Sequence, residues 1–158
     1  MDPKTCLAAI IRPTLAFLGP PYAGEPAEVM LLAIALQESG LATREQMGGP
    51  AHGLWQFELA TATNDFVVAG RTFFKNIVES LGFKLNPFTL WDAIAAGADQ
   101  LACVLARERL YRMVDAPLPA VGDQGEAWRQ YVQAWGPGRP SEGRWAVCYP
   151  EAVAALHG

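Results

Sequence analysis

The 158-residue chain predicts a mainly α-helical protein of one domain, and three observations carry that prediction. Hydrophobic residues make up 51% of the chain against 18% charged, enough apolar surface for a single compact core. They recur at helical spacing with no clear strand alternation. Gly and Pro cut the chain into segments of helix length, and no internal repeat is present.

The elements follow in order. A first helical stretch covers residues 3 to 18, stepped at Pro13 and closed by "GPPYAG". A second begins at Pro26, a favoured first-turn position, carries Glu28 where the macrodipole prefers an acid, and ends at Gly40. Between them Val29 to Leu36 leaves no polar face, which predicts a helix buried all round at the centre of the domain. From Leu41 to Phe57 the chain is Gly-rich and irregular, with room for a short β-hairpin, and residues 58 to 70 are weakly helical. In residues 71 to 83 the apolar set Phe73, Phe74, Ile77, Val78 and Leu81 reads as one core face, stopped by Gly82. Asn86 and Pro87 form a cap and first-turn pair that opens one long helix to about Met113, with Trp91, Ile94, Ala98, Leu101 and Leu105 inward. After the loop "APLPAVGDQG" a helix is expected near 125 to 135, then "GPGRPSEGR", then a short last helix following Pro150.

Charge and cysteine usage exclude several classes. A formal charge of −4 and a pI near 5.1, with no Lys/Arg run, remove any electrostatic drive toward nucleic acid or an anionic membrane. Cys6, Cys103 and Cys148 are odd in number, far apart and without metal-ligand spacing, so they read as small core hydrophobes. His52 and His157 have no partner pattern for catalysis or metal binding, and no cofactor is implied. No segment reaches the roughly 20 apolar residues of a spanning helix, so no stable membrane insertion is expected. Arg12 and Pro13 interrupt the N-terminal apolar stretch short of a signal-peptide core, which predicts synthesis in the cytoplasm without a cleaved export signal.

The stretch "LLAIALQESGL" at 31 to 41 ends an apolar helix on a carboxylate. A helix C-terminus carries about half a negative charge, so Glu38 is misplaced there electrostatically, and apolar surroundings disfavour its ionised form further. Both effects raise its pKa. A carboxylic acid still protonated near neutral pH is what glycoside cleavage needs, because the leaving sugar oxygen must receive a proton as its bond breaks. The plain alternative is a Glu turned to solvent beside its capping glycine.

Taken together, "ESGL" at 38 to 41, "AHGLWQFELATA" at 51 to 62 and "DAIAAGADQL" at 92 to 101 resemble the lytic transglycosylases of the lysozyme-like superfamily in order and spacing. Glu38 and Ser39 match that family's Glu-Ser pair. Gly53, Leu54 and Gln56 match its Gly-Leu-Met-Gln segment, with Trp55 for the Met, and Ala60, Thr61 and Ala62 match the tail. Ile94, Gly97 and Leu101 keep the spacing of a later helical motif, and "VQAWGPGRP" is similar to Tyr-Asn-Ala-Gly-x-Gly-Arg with one residue inserted around Trp135. The pattern is departed from at Met47, Pro50 and Leu59, and the Tyr of the last motif falls on either Tyr131 or Val132.

The resemblance covers roughly residues 26 to 140 and implies a lysozyme-like domain that cuts the bond between N-acetylmuramic acid and N-acetylglucosamine in peptidoglycan. Glu38 would be the general acid, with Ser39 and Leu54 among the substrate-binding residues. Gly53 would let the backbone approach a sugar, Gln56 would donate and accept, and Trp55, Phe57, Tyr131 and Trp135 would stack on pyranose faces. A second carboxylate, Glu45, Glu58 or Asp65, would instead give inverting hydrolysis as in goose-type lysozymes. A non-catalytic wall-binding part of a phage particle is the third reading. Without an export signal, a phage virion, with other virion proteins as partners, or a holin-type lesion would bring the enzyme to the periplasmic wall.

Overall fold

The computed structural model describes residues 1–46, 49–59 and 72–158. Among these residues the chain is mainly α, and its secondary structure follows the predicted order, with corrections to where two helices begin and end. Helix α1 runs end to end through Pro3–Cys6, Leu7–Ile11 and Arg12–Leu18, and its middle segment is wound as a π-helix in which the Arg12 N–H bonds the Leu7 carbonyl. The wider winding lies just ahead of Pro13, whose ring crowds the carbonyl four residues back and whose nitrogen has no proton to give. The step expected at Pro13 therefore takes a defined form.

Helix α2 (Glu25–Ser39) is the axis of the molecule. Its residues from Val29 to Leu36 are all buried, as a helix without a polar face requires. Gly40 ends it in the left-handed conformation at φ 62°. The chain from Arg44 to Phe57 folds back through two isolated antiparallel bridges, Glu45 with His52 and His52 with Phe57, the residue of the expected hairpin. A bidentate ion pair from Arg44 to Asp99, at 2.7 and 2.6 Å, ties this segment to the start of a later helix. Residues 60–71, which hold most of the weakly helical segment, the motif tail and Asp65, lie outside the described residues, as does Met47.

Helix α3 (Thr72–Ser80) corrects the core face assigned to Phe73. Phe74 and Val78, one turn apart, are buried, whereas Phe73 is 41% exposed and lies flat on Tyr22 at 5.3 Å. Neighbouring residues point about 100° apart on a helix, so Phe73 and Phe74 do not share one core-facing stripe. The long helix expected from Pro87 is two: α4 (Pro87–Ala95) and α5 (Asp99–Met113). Gly97 breaks it at φ 102°, while Ile94, Leu101 and Leu105 stay buried on either side of the break, so the apolar pattern runs across it unchanged.

Helix α6 (Gln124–Trp135) lies where expected, capped by Asp123. Helix α7 (Glu142–His157) starts well before Pro150 rather than after it. The Ser141 side chain caps its first turn, and Trp145, Cys148, Tyr149 and Ala152 bury one face against α2, the helix it packs on most extensively. Pro150 sits on the exposed side, where a carbonyl that loses its partner can turn to water. The three cysteines are free and buried, and no helix among the described residues is long and apolar enough to cross a membrane.

Candidate functional site

The site is built where α2 stops. The last turn of a helix leaves carbonyls without partners, and the Leu36 carbonyl accepts both from Gly40 N–H at 3.0 Å and from Arg144 Nη2 at 2.9 Å. Gln37 reaches the Ser141 carbonyl through Nε2 at 3.1 Å, so the end of α2 and the start of α7 are joined twice. Glu38, half-buried between these anchors, borders an open groove of about 470 Å³. Gln46, Gln56, Phe57 and Glu58 line that groove from the irregular segment, Tyr131 and Trp135 from α6, Arg139 from the stretch that follows and Arg144 from the first turn of α7.

Tyr131 donates its hydroxyl proton to Glu38 Oε1. Of the two residues on which the last motif's Tyr can fall, Tyr131 lines the groove and Val132 does not. The Tyr131 ring is held parallel to Trp145 at 4.9 Å, leaving only its hydroxyl to act at the groove. Burial raises the Glu38 pKa above the ordinary 4.5, and the Tyr131 hydrogen bond and the Arg144 charge both pull it back. Desolvation is the largest of the three. The negative helix end, expected to push the pKa up as well, is faced by the Arg144 guanidinium.

The other predicted residues divide. Gln56 lines the groove, with backbone φ 53° and Nε2 bonded to the Gly53 carbonyl at 2.8 Å. Trp135 is partly exposed at the groove, oriented by its Nε1 bond to the Trp55 carbonyl at 3.1 Å and with Arg109 over its ring at 5.8 Å. Phe57 shows the groove only an edge, being 2% exposed. Trp55 is a correction: it is wholly buried, its Nε1 bonded to the Leu31 carbonyl at 2.9 Å, so the indole packs on α2 and offers no face to a sugar. Leu54 is buried with it. Gly53 serves this packing, since a Cβ there would lie 2.5 Å from Ile94 Cγ2 and its φ is 81°. Ser39 turns back into its own helix, donating to the Ala35 carbonyl at 3.0 Å and accepting from Leu41 N–H.

Of the three further carboxylates, Glu58 lines the groove, Glu45 is exposed at an isolated bridge and is not among the groove's lining residues, and Asp65 is outside the described residues. Sequence reasoning gave no role to Gln37, Arg109 or Arg144, nor to Arg139, although Arg139 stands at the final Arg of the motif matched by "VQAWGPGRP". Arg144 was hidden by the late start assigned to the last helix. Arg139 lies in a Gly- and Pro-rich stretch without periodicity, where the spaced motif is the signal that could have found it. Among the described residues no three His, Cys, Asp or Glu side chains come together as a metal site.

Chemically, the groove offers one carboxyl held toward its protonated form, a hydroxyl that steadies it once ionised, a tryptophan edge and face, amides, and guanidinium groups. Compared with protein-family models, with curated proteins and with solved structures, the chain finds no match, so the function has to be argued from these residues.

Proposed function

We propose that this chain is a peptidoglycan lytic transglycosylase that cleaves between N-acetylmuramic acid and N-acetylglucosamine, with Glu38 as acid and then base. The observation that carries the reading is the Glu38 carboxyl itself: desolvated, at the mouth of an open groove, and hydrogen-bonded by Tyr131. Glu38 gives its proton to the bridging oxygen as the glycosidic bond breaks. The carboxylate so formed accepts the Tyr131 hydrogen bond and takes the proton of the muramic 6-hydroxyl as that oxygen closes on the anomeric carbon. The 6-hydroxyl is tethered to the reacting sugar and needs no second carboxylate to raise its effective concentration. Trp135 supplies a stacking surface, and Gln56 supplies an amide for an N-acetyl or hydroxyl group.

Glu58, which lines the same groove, favours a second reading in which it activates water and the product is a reducing end. Turbidity clearing of purified cell-wall sacculi tests the proposal. Wild-type protein is expected to clear them and Glu38→Gln to lose the activity. A wild-type protein that binds sacculi without clearing them would make this groove a wall-binding site.

A further inference from the structure

At the far end of α2 from the groove lies a second cavity, of about 350 Å³, bordered by Pro21, Pro26, Leu110, Pro117, Leu118 and the side chain of Arg107. Ala27 and Glu38 are eleven residues apart on one helix, about 16 Å along its axis, so the two cavities are separate places on the molecule. Arg107 is 4% exposed. Its guanidinium faces the rings of Tyr22 and Tyr111, at 5.7 and 5.9 Å, and its Nε donates to the Tyr22 carbonyl at 2.7 Å. Its Nη1 is buried with no hydrogen-bond partner.

An arginine stays charged in a protein, so this position holds a cation that the fold leaves short of acceptors. Burial lowers the Arg107 pKa from its usual value, and the neighbouring tyrosine rings only partly oppose that. Among the described residues no carboxylate pairs with it. Glu108, the next residue, bonds Arg112 at 3.2 Å, and Glu28 on α2 bonds Arg12 at 2.9 Å. A buried cation beside a cavity walled by proline, alanine and leucine side chains and by Tyr111 is complementary to one ligand chemistry: an anionic head able to meet the guanidinium, on a small apolar body able to lie against those side chains.

We infer that this cavity is a binding site for a carboxylate carried on a small apolar body, held by Arg107 and independent of the Glu38 groove. The carboxylate could belong to a free alkanoic acid or to the C-terminus of a short peptide with small apolar side chains, and the probes separate these. Calorimetric titration of the full chain uses hexanoate, acetyl-alanyl-alanine and the amide of each, with the Arg107 side-chain Nε–H resonance followed by NMR. One or both acids are expected to bind and shift that resonance, and the amides to bind at least ten-fold more weakly. Arg107→Met should abolish the difference between acid and amide. Since that variant can lose stability, Ala116→Leu, which crowds the cavity from an exposed position and leaves Arg107 in place, should weaken acid binding at least ten-fold. Glu38→Gln should bind the acids as wild type does. Acids and amides binding alike, neither acid binding at millimolar concentration, or unchanged affinity in Ala116→Leu would overturn the proposal.

Discussion

In the proposed reaction the chemistry rests on one ionisation, that of Glu38, and that ionisation is set by opposing effects. Its pKa is raised by burial and lowered by Tyr131 and Arg144, with burial the largest. A carboxyl whose folded pKa exceeds its unfolded one stabilises the fold fully below the unfolded value and loses that contribution as pH rises through the folded one. Glu38→Gln never ionises, so its melting temperature should match wild type near pH 4 and exceed it by a few degrees near pH 7.5, as scanning calorimetry at the two pH values would show. Tyr131→Phe keeps the ring on Trp145 and removes the donor to the carboxylate. Its remaining activity should show an alkaline limb displaced to higher pH, because the ionised form has lost a hydrogen bond that favoured it. An unmoved limb would mean that Glu38 does not set the profile. The residue scale was partly legible: the apolar run ahead of Glu38 announced its burial, while the hydroxyl and the guanidinium that counter that burial come from 93 and 106 positions away and leave no local mark.

At the scale of elements, the segment from Gly53 to Phe57 is a core piece that presents Gln56, and little of the buried Phe57, to the groove. Trp55→Ala should cost about 3–5 kcal/mol of stability in denaturant titration, since it empties a fully buried indole site. Phe73→Ala, at a half-open position on Tyr22, should cost less than about 1 kcal/mol. Equal losses would contradict the division of core from surface described here. The buried helix was readable because eight consecutive apolar residues admit no polar face. The break at Gly97 was not, because the apolar stripe is continuous across it and only the backbone at φ 102° reverses. Helix α7 escaped detection ahead of Pro150 because a proline reads as a start, whereas the Ser141 cap and the buried Trp145 and Tyr149 carry the helix through it.

Over the whole molecule, the net charge of −4 hides a local reversal: Arg109, Arg139 and Arg144 line the groove beside Glu38 and Glu58. Arg139 is exposed and makes no ion pair among the described residues, so it is placed to attract an anionic polymer. Arg139→Ala should raise the KM for sacculi a few-fold and weaken its dependence on NaCl, with little change in kcat, because screening acts on exposed charges. Apolar periodicity gave the mainly helical character, whereas composition averaged this charge pattern away. The groove itself was legible only through spaced motifs, of which Glu38, Gln56, Tyr131 and Trp135 converge on it while Ser39, Leu54 and Trp55 build the wall behind it. The central claim, that Glu38 cleaves muramyl bonds by intramolecular closure, is tested most directly by mass spectrometry of purified peptidoglycan digested with wild type and with Glu38→Gln. Wild type should release fragments ending in 1,6-anhydromuramic acid, lighter by one water than hydrolysed ones, and the variant should release none. Reducing ends would give Glu58 the part of water-activating base, and fragments released equally by both proteins would contradict the assignment of Glu38.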